Sequence, residues 1–247
     1  MSKGVTIVVG LGEVGEPLLA ILRQTYDCVG VDIEPVCVTQ PCSFLHICFP
    51  YQIGDFVGAA SGYIAKYRPQ FTVINSTVAP GTTRAIAATS HSLVVYSPVR
   101  GKHARMQSDL SHYRKFVGAD DARAGDAAVA HFARAGFATD RFPDSTAGEV
   151  AKLLETTWLG ILVGWAQEAE RIARQHGASY DVINAFVKEI DFLPHHITPG
   201  VIGGHCVMPN IEILRRQYYS RFLDCIVESN LRKAQEAQPT VPLGMNS

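Results

Sequence analysis

Val5-Thr-Ile-Val-Val9-Gly10-Leu11-Gly12-Glu13-Val14-Gly15 is the stretch that decides the fold. Five β-rich residues run into G-x-G-x-x-G. Glu16 to Gln24 then carries apolar residues at helical spacing, and Cys28 to Ile33 is β-like again. A glycine turn between a strand and a helix has a physical use. The first glycine permits the tight turn, the second lets the backbone approach a pyrophosphate, and the third allows close helix–strand packing. The helix N-terminus adds N–H groups and the positive end of its dipole. Asp32 ends the second strand, 22 residues beyond Gly10. An acid there binds the adenosine ribose hydroxyls and selects NAD over NADP.

Working outward, the same alternation continues. Phe44–Phe49, Phe71–Ile74 and Leu93–Tyr96 are short continuous apolar runs, with Tyr113–Gly118 a weaker one. Helical stretches lie near 52–67, 81–90 and 122–135. Strands of this kind are buried on both faces, so the spacing predicts a parallel α/β sheet of Rossmann type over about residues 1–143. Beyond it an all-helical domain is expected over 144–237, with a frayed tail at 238–247. Thr146-Ala-Gly-Glu149 fits a capping box opening a helix of about 30 residues that ends near His176, with Gly177 at C′. A second helix is expected over 180–190, a Pro/Gly-rich loop from Pro194 to Pro209, and a last helix over about 210–236.

The chain has 247 residues, with 22 Lys+Arg against 23 Asp+Glu, so no basic nucleic-acid footprint is present at the level of net charge. With 47% hydrophobic and 18% charged residues it has the composition of an ordered globular protein. The most apolar run, near Leu159–Ala166, is far short of a membrane span. Met1-Ser2-Lys3-Gly4 leads straight into the first strand, so no signal peptide is expected. Cys28, Cys37, Cys42, Cys48, Cys206 and Cys225 are irregularly spaced and read as reduced thiols of a cytoplasmic protein. His195, His196 and His205-Cys206 lack metal-ligand spacing, and no metal is expected.

Several segments, in order, resemble the UDP-glucose/GDP-mannose dehydrogenase family. They are the Gly10–Gly15 loop with Pro17-Leu18, Val31-Asp32-Ile33, Ile47-Cys-Phe-Pro50, and Asn75-Ser76-Thr77-Val-Ala-Pro-Gly81-Thr-Thr-Arg84. Ser97-Pro98, Glu149-Val-Ala-Lys152, Gln167-Glu168 and Pro199-Gly-Val-Ile-Gly-Gly-His205-Cys206 follow. The match covers roughly residues 4–225. The resemblance implies an NAD-dependent dehydrogenase acting on a CH–OH group of a nucleotide sugar, in polysaccharide precursor metabolism. Leu11, Glu13, Val14, Ile33, Pro50, Ser76 and Thr77 would complete the cofactor set. Cys206 would form a thiohemiacetal and then a thioester, Lys152 would stabilise oxyanion charge, and Thr77 would stand near the nicotinamide and the catalytic water. The family's long helix forms a dimer core, and a homodimer is expected from Leu153, Leu154, Trp158, Leu159, Ile161, Leu162 and Trp165.

The chain also departs from the family pattern. The family's asparagine four residues after its lysine is Thr156, its aspartate four residues after the cysteine is Asn210, and its Ser-Pro-Glu becomes Ser97-Pro98-Val99. Asn210 cannot exchange a proton as a general base. Only eleven residues separate Asp32 from Phe44, and the family's third, nucleotide-gripping domain is not expected in this sequence. Arg100, Lys102, His103 and Arg105 form a basic cluster suited to an anionic substrate group, with His205 a further substrate contact. Two alternatives stand beside the dehydrogenase. One is a non-catalytic dinucleotide-binding or regulatory protein. The other is an enzyme similar to the 3-hydroxyacid dehydrogenases.

Overall fold

The computed structural model describes residues 4–34, 36–194 and 196–237, with His103 described by its backbone alone. The sequence-based expectations for Met1–Lys3, for His195 and for the tail at 238–247 lie outside the described residues. The chain divides into two compact units, Met1–Lys152 and Leu153–Ser247.

In the first unit seven strands form one sheet: β1 (Val5–Val9), β2 (Cys28–Val31), β3 (Cys42–Ile47), β4 (Phe71–Ile74), β5 (Val94–Tyr96), β6 (Lys115–Ala119) and β7 (Thr139–Arg141). The order is β2-β1-β3-β4-β5-β6-β7, with the reversal at β1 that defines a Rossmann-type switch point. Residues alternate between two cores because successive side chains of a strand point to opposite faces. Val8, Val73, Val95 and Val117 join one core with Leu18, Leu22, Met106 and Phe132. Val5, Ile7, Val9, Ile47 and Ile74 join the other with Phe56, Ile64 and Ile86. The helices that supply those partners are α1 (Gly15–Leu22), α2 (Phe56–Tyr67), α3 (Thr82–Ser90), α4 (Met106–His112) and α5 (Ala122–Arg134).

The expected Rossmann-type parallel sheet is present, with one antiparallel pair. β6 runs antiparallel to β5, pairing Val95 with Ala119 and Tyr96 with Gly118. The short α4, absent from the sequence reading, packs on α1 instead of carrying the chain back along the sheet. β6 therefore enters at the edge where β5 leaves. β7, also unforeseen, is a polar three-residue edge strand with no apolar run to betray it.

α6 (Ser145–Gln175) starts in the first unit and continues through the second, followed by α7 (Tyr180–Val187), α8 (Val207–Gln217) and α9 (Arg221–Glu236). The expected capping box does not form. Asp144 accepts the Ala147 N–H at 2.8 Å, so the helix starts ahead of Thr146 and Glu149 points elsewhere. The loop predicted to reach Pro209 ends at Cys206, because a proline is tolerated in the first turn of a helix. The single last helix is two, broken where Tyr218 adopts extended backbone at φ −146° and ψ 120°. In the second unit Val207, Ile211, Leu223 and Ile226 form a small core. Gly160 permits its close packing: a Cβ there would lie 2.9 Å from Ile211 Cδ1 and 3.1 Å from Val207 Cγ1.

Candidate active site

The glycine loop has the geometry its sequence implies. Gly10 sits at φ +88°, and a Cβ there would lie 2.6 Å from the Phe49 nitrogen. A Cβ on Gly15 would lie 1.7 Å from the Gly10 carbonyl oxygen, so only glycine lets α1 start this close to β1. Gly12 has nothing within 4 Å of its ideal Cβ, leaving its backbone open to a phosphate. No side chain caps the N-terminus of α1. Glu13, Asp32 and Ile33 are exposed, and Leu11 and Val14 half-buried, around the C-terminal edges of β1 and β2. Open N–H groups and an exposed carboxylate past the second strand fit a dinucleotide.

The neighbouring loops are built as a braced edge. Ser76 donates its hydroxyl to the Phe49 carbonyl at 2.6 Å, tying the end of β4 to the end of β3; that oxygen serves the scaffold. Pro50 is exposed and Thr77 half-buried beside it. Glu149, fully buried, accepts the Gly81 N–H at 2.6 Å, the Thr83 N–H at 2.8 Å and the Thr83 hydroxyl at 2.6 Å. It caps α3 from another helix, satisfying N–H groups that have no partner within α3. Burial pushes its carboxyl above the usual range, and the Thr83 and Gly81 donors pull it back. Lys152 lies one turn beyond Gly148, whose Cα abuts Tyr96 and Phe142 closely enough that a Cβ would sit 2.8 Å from each ring.

The basic cluster is dispersed. Arg105 pairs with Asp109, which also accepts the Lys102 backbone N–H at 2.8 Å. Arg100 donates to the Arg114 carbonyl at 2.8 Å and stacks over Phe116, 5.1 Å from the ring centroid. The Lys102 side chain is exposed, and that of His103 lies outside the described residues. Val99, in the place of the family's glutamate, is buried in the sheet core.

In the second unit the loop before Cys206 is fixed by two amides. Gln167 of α6 donates to the Gly200 carbonyl at 2.7 Å. Asn230 of α9 accepts the Ile202 N–H at 2.7 Å and donates to the Ile202 carbonyl at 3.1 Å, pairing with it as a strand would. Asn230 was missed by sequence reasoning, since a lone asparagine on a helix carries no motif. Cys206 is half-buried at the N-cap of α8, and His205 is exposed. Asn210, one turn on, donates to the Thr156 hydroxyl at 3.2 Å, and that hydroxyl donates to the Leu153 carbonyl at 3.0 Å. The two departures from the family are thus partners. A neutral amide and an alcohol, both buried, are hydrogen-bonded to each other where the family pattern has an asparagine and an aspartate.

None of the six cysteines forms a disulfide. Among the described residues no group of three His, Cys, Asp or Glu side chains could hold a metal ion, and no helix is long and apolar enough to cross a membrane.

No protein-family model matches the chain. It is 26% identical over 210 residues to a UDP-N-acetyl-D-mannosamine dehydrogenase of Pyrococcus horikoshii, an alignment covering 76% of this chain and 47% of that protein. The chain thus spans about half the length of the curated relative it matches. A solved structure of the Pyrococcus horikoshii UDP-D-ManNAc dehydrogenase superposes with a TM-score of 0.83 at 18% identity, covering 94% of this chain and 69% of that one. A 3-hydroxyisobutyrate dehydrogenase of Mycobacterium tuberculosis superposes with a TM-score of 0.71 at 16% identity, covering 95% and 94%. The shared fold is that of Rossmann-type dehydrogenases, and the curated match points, as the motifs do, to the nucleotide-sugar dehydrogenases.

Proposed function

We propose that this protein is an NAD-dependent oxidoreductase acting on a CH–OH group, of the nucleotide-sugar dehydrogenase type but with an altered catalytic shell. The observation that carries this reading is the Gly10–Gly15 loop, with its open Gly12 and forced Gly15, set before the exposed Asp32. Leu11, Gly12, Glu13 and Val14 would hold the phosphates, Asp32 and Ile33 the adenosine end, and Pro50, Ser76 and Thr77 the far end. When bound, NAD supplies the two-electron acceptor. Lys152 would hold the substrate oxygen and stabilise its developing charge. Cys206, at the head of α8, would serve as the nucleophile. Its loop is held rigid by Gln167 and Asn230.

None of Asn210, Thr156 and Val99 can act as a base toward water, so hydrolysis of a thioester on Cys206 would be slow and the first oxidation, of the alcohol to the carbonyl, would be the favoured reaction. The same neutral pair supports the second reading, a dinucleotide-binding protein without catalysis. The proposed setting is the cytoplasm, which suits six cysteines with no disulfide. We also infer a homodimer. Leu154, Trp158 and Trp165 lie 52%, 57% and 67% exposed on α6, apolar area of the kind that marks an interface.

The experiment is an NADH titration followed by nicotinamide fluorescence, with UDP-sugars and 3-hydroxyacids then screened for turnover. The expected affinity is micromolar, about −8 kcal/mol. Absence of binding by NADH and NAD⁺ removes the reading. Binding without turnover on any alcohol supports the second. Gain of thioester hydrolysis in a Val99→Glu, Thr156→Asn, Asn210→Asp variant would identify the altered shell as the block.

A further inference from the structure

The C-terminal edge of the sheet is continuous from the glycine loop to the end of β4. The Phe49 nitrogen lies 2.6 Å from where a Gly10 Cβ would be, and the Cys48 Cβ 3.2 Å from where a Gly15 Cβ would be, so the end of β3 abuts the loop. Ser76 then ties the end of β4 to Phe49. In the order β2-β1-β3-β4 neighbouring strands lie about 4.8 Å apart, so Ser76-Thr77 stands about 10 Å along this edge from the loop that follows β1. A dinucleotide with its pyrophosphate on Gly10–Gly15 and its adenosine ribose at Asp32, past β2, has its other half carried toward β3 and β4.

The segment from Asn75 to Gly81 is held at both ends. At its head Lys115, which opens β6 and is 2% exposed, donates to Asn75 Oδ1 at 3.1 Å, to the Ser97 carbonyl at 2.6 Å and to the Pro98 carbonyl at 3.1 Å. An ammonium has no acceptor. Asn75 therefore gives its oxygen to Lys115 and its N–H to His46 Nδ1 at 3.3 Å, and His46 in turn donates from Nε2 to His131 Nε2 at 3.1 Å. At its tail Gly81, the N-cap of α3, gives its N–H to Glu149 Oε2, while Glu149 Oε1 takes the N–H and the hydroxyl of Thr83. Between these anchors Val78 and Ala79 are buried and Thr77 is half-buried. A separate brace joins the same two helices: Ser145 donates to Asp120, which accepts Arg84 Nε at 2.9 Å and Nη2 at 2.7 Å. That brace fixes α3 to the head of α6, whereas Glu149 holds the segment itself. Lys152 follows Glu149 by one turn of α6.

We propose that Glu149 is a positioning residue for the nicotinamide end of the cofactor site: by holding Gly81 it fixes the segment that carries Ser76 and Thr77 against α6, the helix of Lys152. This role rests on the dinucleotide reading above. It is separable from the capping of α3. A glutamine has one oxygen for two N–H groups, so in Glu149→Gln either Gly81 or Thr83 faces an amide N–H in place of an acceptor. The tail of the segment is then released. The glycine loop keeps its place, since Gly10 donates to the Val31 carbonyl and Glu16 to the Gly12 carbonyl, far from Glu149 in the chain. Thr83→Val, by contrast, removes one hydroxyl donor and leaves both N–H bonds to the carboxylate.

The test compares two ligands on the whole chain: NADH, followed by nicotinamide fluorescence, and ADP-ribose, which lacks the nicotinamide, followed by calorimetry. In Glu149→Gln the ADP-ribose affinity should stay within about twofold of the wild type, because its contacts are remote, while NADH weakens about tenfold and the emission of bound nicotinamide shifts. Thr83→Val should lower the urea midpoint and leave the ratio of the two affinities at its wild-type value. Equal loss of both ligands in Glu149→Gln, a ratio that does not move, or the same change of ratio in Thr83→Val overturns the proposal. A wild type that binds neither ligand removes the cofactor reading and this role with it. A wild type that binds both, with a ratio that Glu149→Gln leaves alone, removes this role only. If Glu149→Gln does not fold, Glu149→Asp, which keeps the charge and shortens the reach, is judged by the same ratio.

Discussion

His131→Phe should make the protein less stable at pH 8 and yet less sensitive to acid. His131 is buried against the sheet, its ring stacked 3.9 Å from Phe44 and 4.4 Å from Tyr26, and burial lowers it from 6.5 to about 3. Between those values the unfolded chain binds a proton that the folded chain refuses. Stability is therefore unaffected well above pH 6.5 and falls as the pH drops from there toward 3. At pH 5 the difference is about 1.5 pK units, or about 2 kcal/mol, from this one side chain. His46, lowered for the same reason and by its neighbours His131 and Lys115, acts in the same direction. A domain stable by about 5–15 kcal/mol feels such a loss. Phenylalanine keeps the stacking but strands the His46 Nε2–H without an acceptor, a cost of about 1–3 kcal/mol at pH 8. The gap between wild type and variant should then shrink by about 2 kcal/mol by pH 5. Urea titrations at pH 8, 7, 6 and 5, followed by far-UV circular dichroism, measure it. Trp158 and Trp165 both lie in the second unit, so their fluorescence provides an internal control. A gap of constant size across this range would refute the argument.

Three further predictions concern single contacts. Glu149→Ala leaves two N–H groups and a hydroxyl at the head of α3 without their acceptor, and should destabilise the first unit by about 3 kcal/mol, read from the urea midpoint. Gly15→Ala places a methyl where the Gly10 carbonyl stands, so NADH affinity should fall at least about tenfold along with about 2 kcal/mol or more of stability. Trp165→Glu puts a charge on the exposed face of α6, and if the proposed homodimer forms, light scattering should find it converted to monomer. A wild type that is monomeric at every concentration defeats the last prediction.

Much of the candidate site was legible because its parts are contiguous. The three glycines announce themselves by spacing, and each meets the contact its type predicts. Cys206, Asn210 and Thr156 were located by motif, and the hydrogen bond from Asn210 to Thr156 turns two separate departures into one linked change. What could not be read is long-range. Glu149 stands three residues after Thr146, which suggested a local capping box, but its carboxylate reaches Thr83 instead, 66 positions away. Arg105, counted among the anion-binding cluster, found Asp109 one helical turn on.

The sequence by itself determined the Rossmann-type sheet, the turn at Gly10–Gly15, the acid at Asp32 and the long helix that stops just before Gly177. Each of these depends on residues within one or two turns of each other, where backbone preference and side-chain period act directly. Only the tertiary structure decided the antiparallel entry of β6, the break between α8 and α9, and the burial of Lys115 above His46 and His131. A lysine at the head of a weak strand looks like a solvated end. It becomes a buried cation because β6 turns against β5 and delivers it among the carbonyl ends of two other strands. Strand direction is set by which helix packs on which, a matter of global packing that no local pattern encodes.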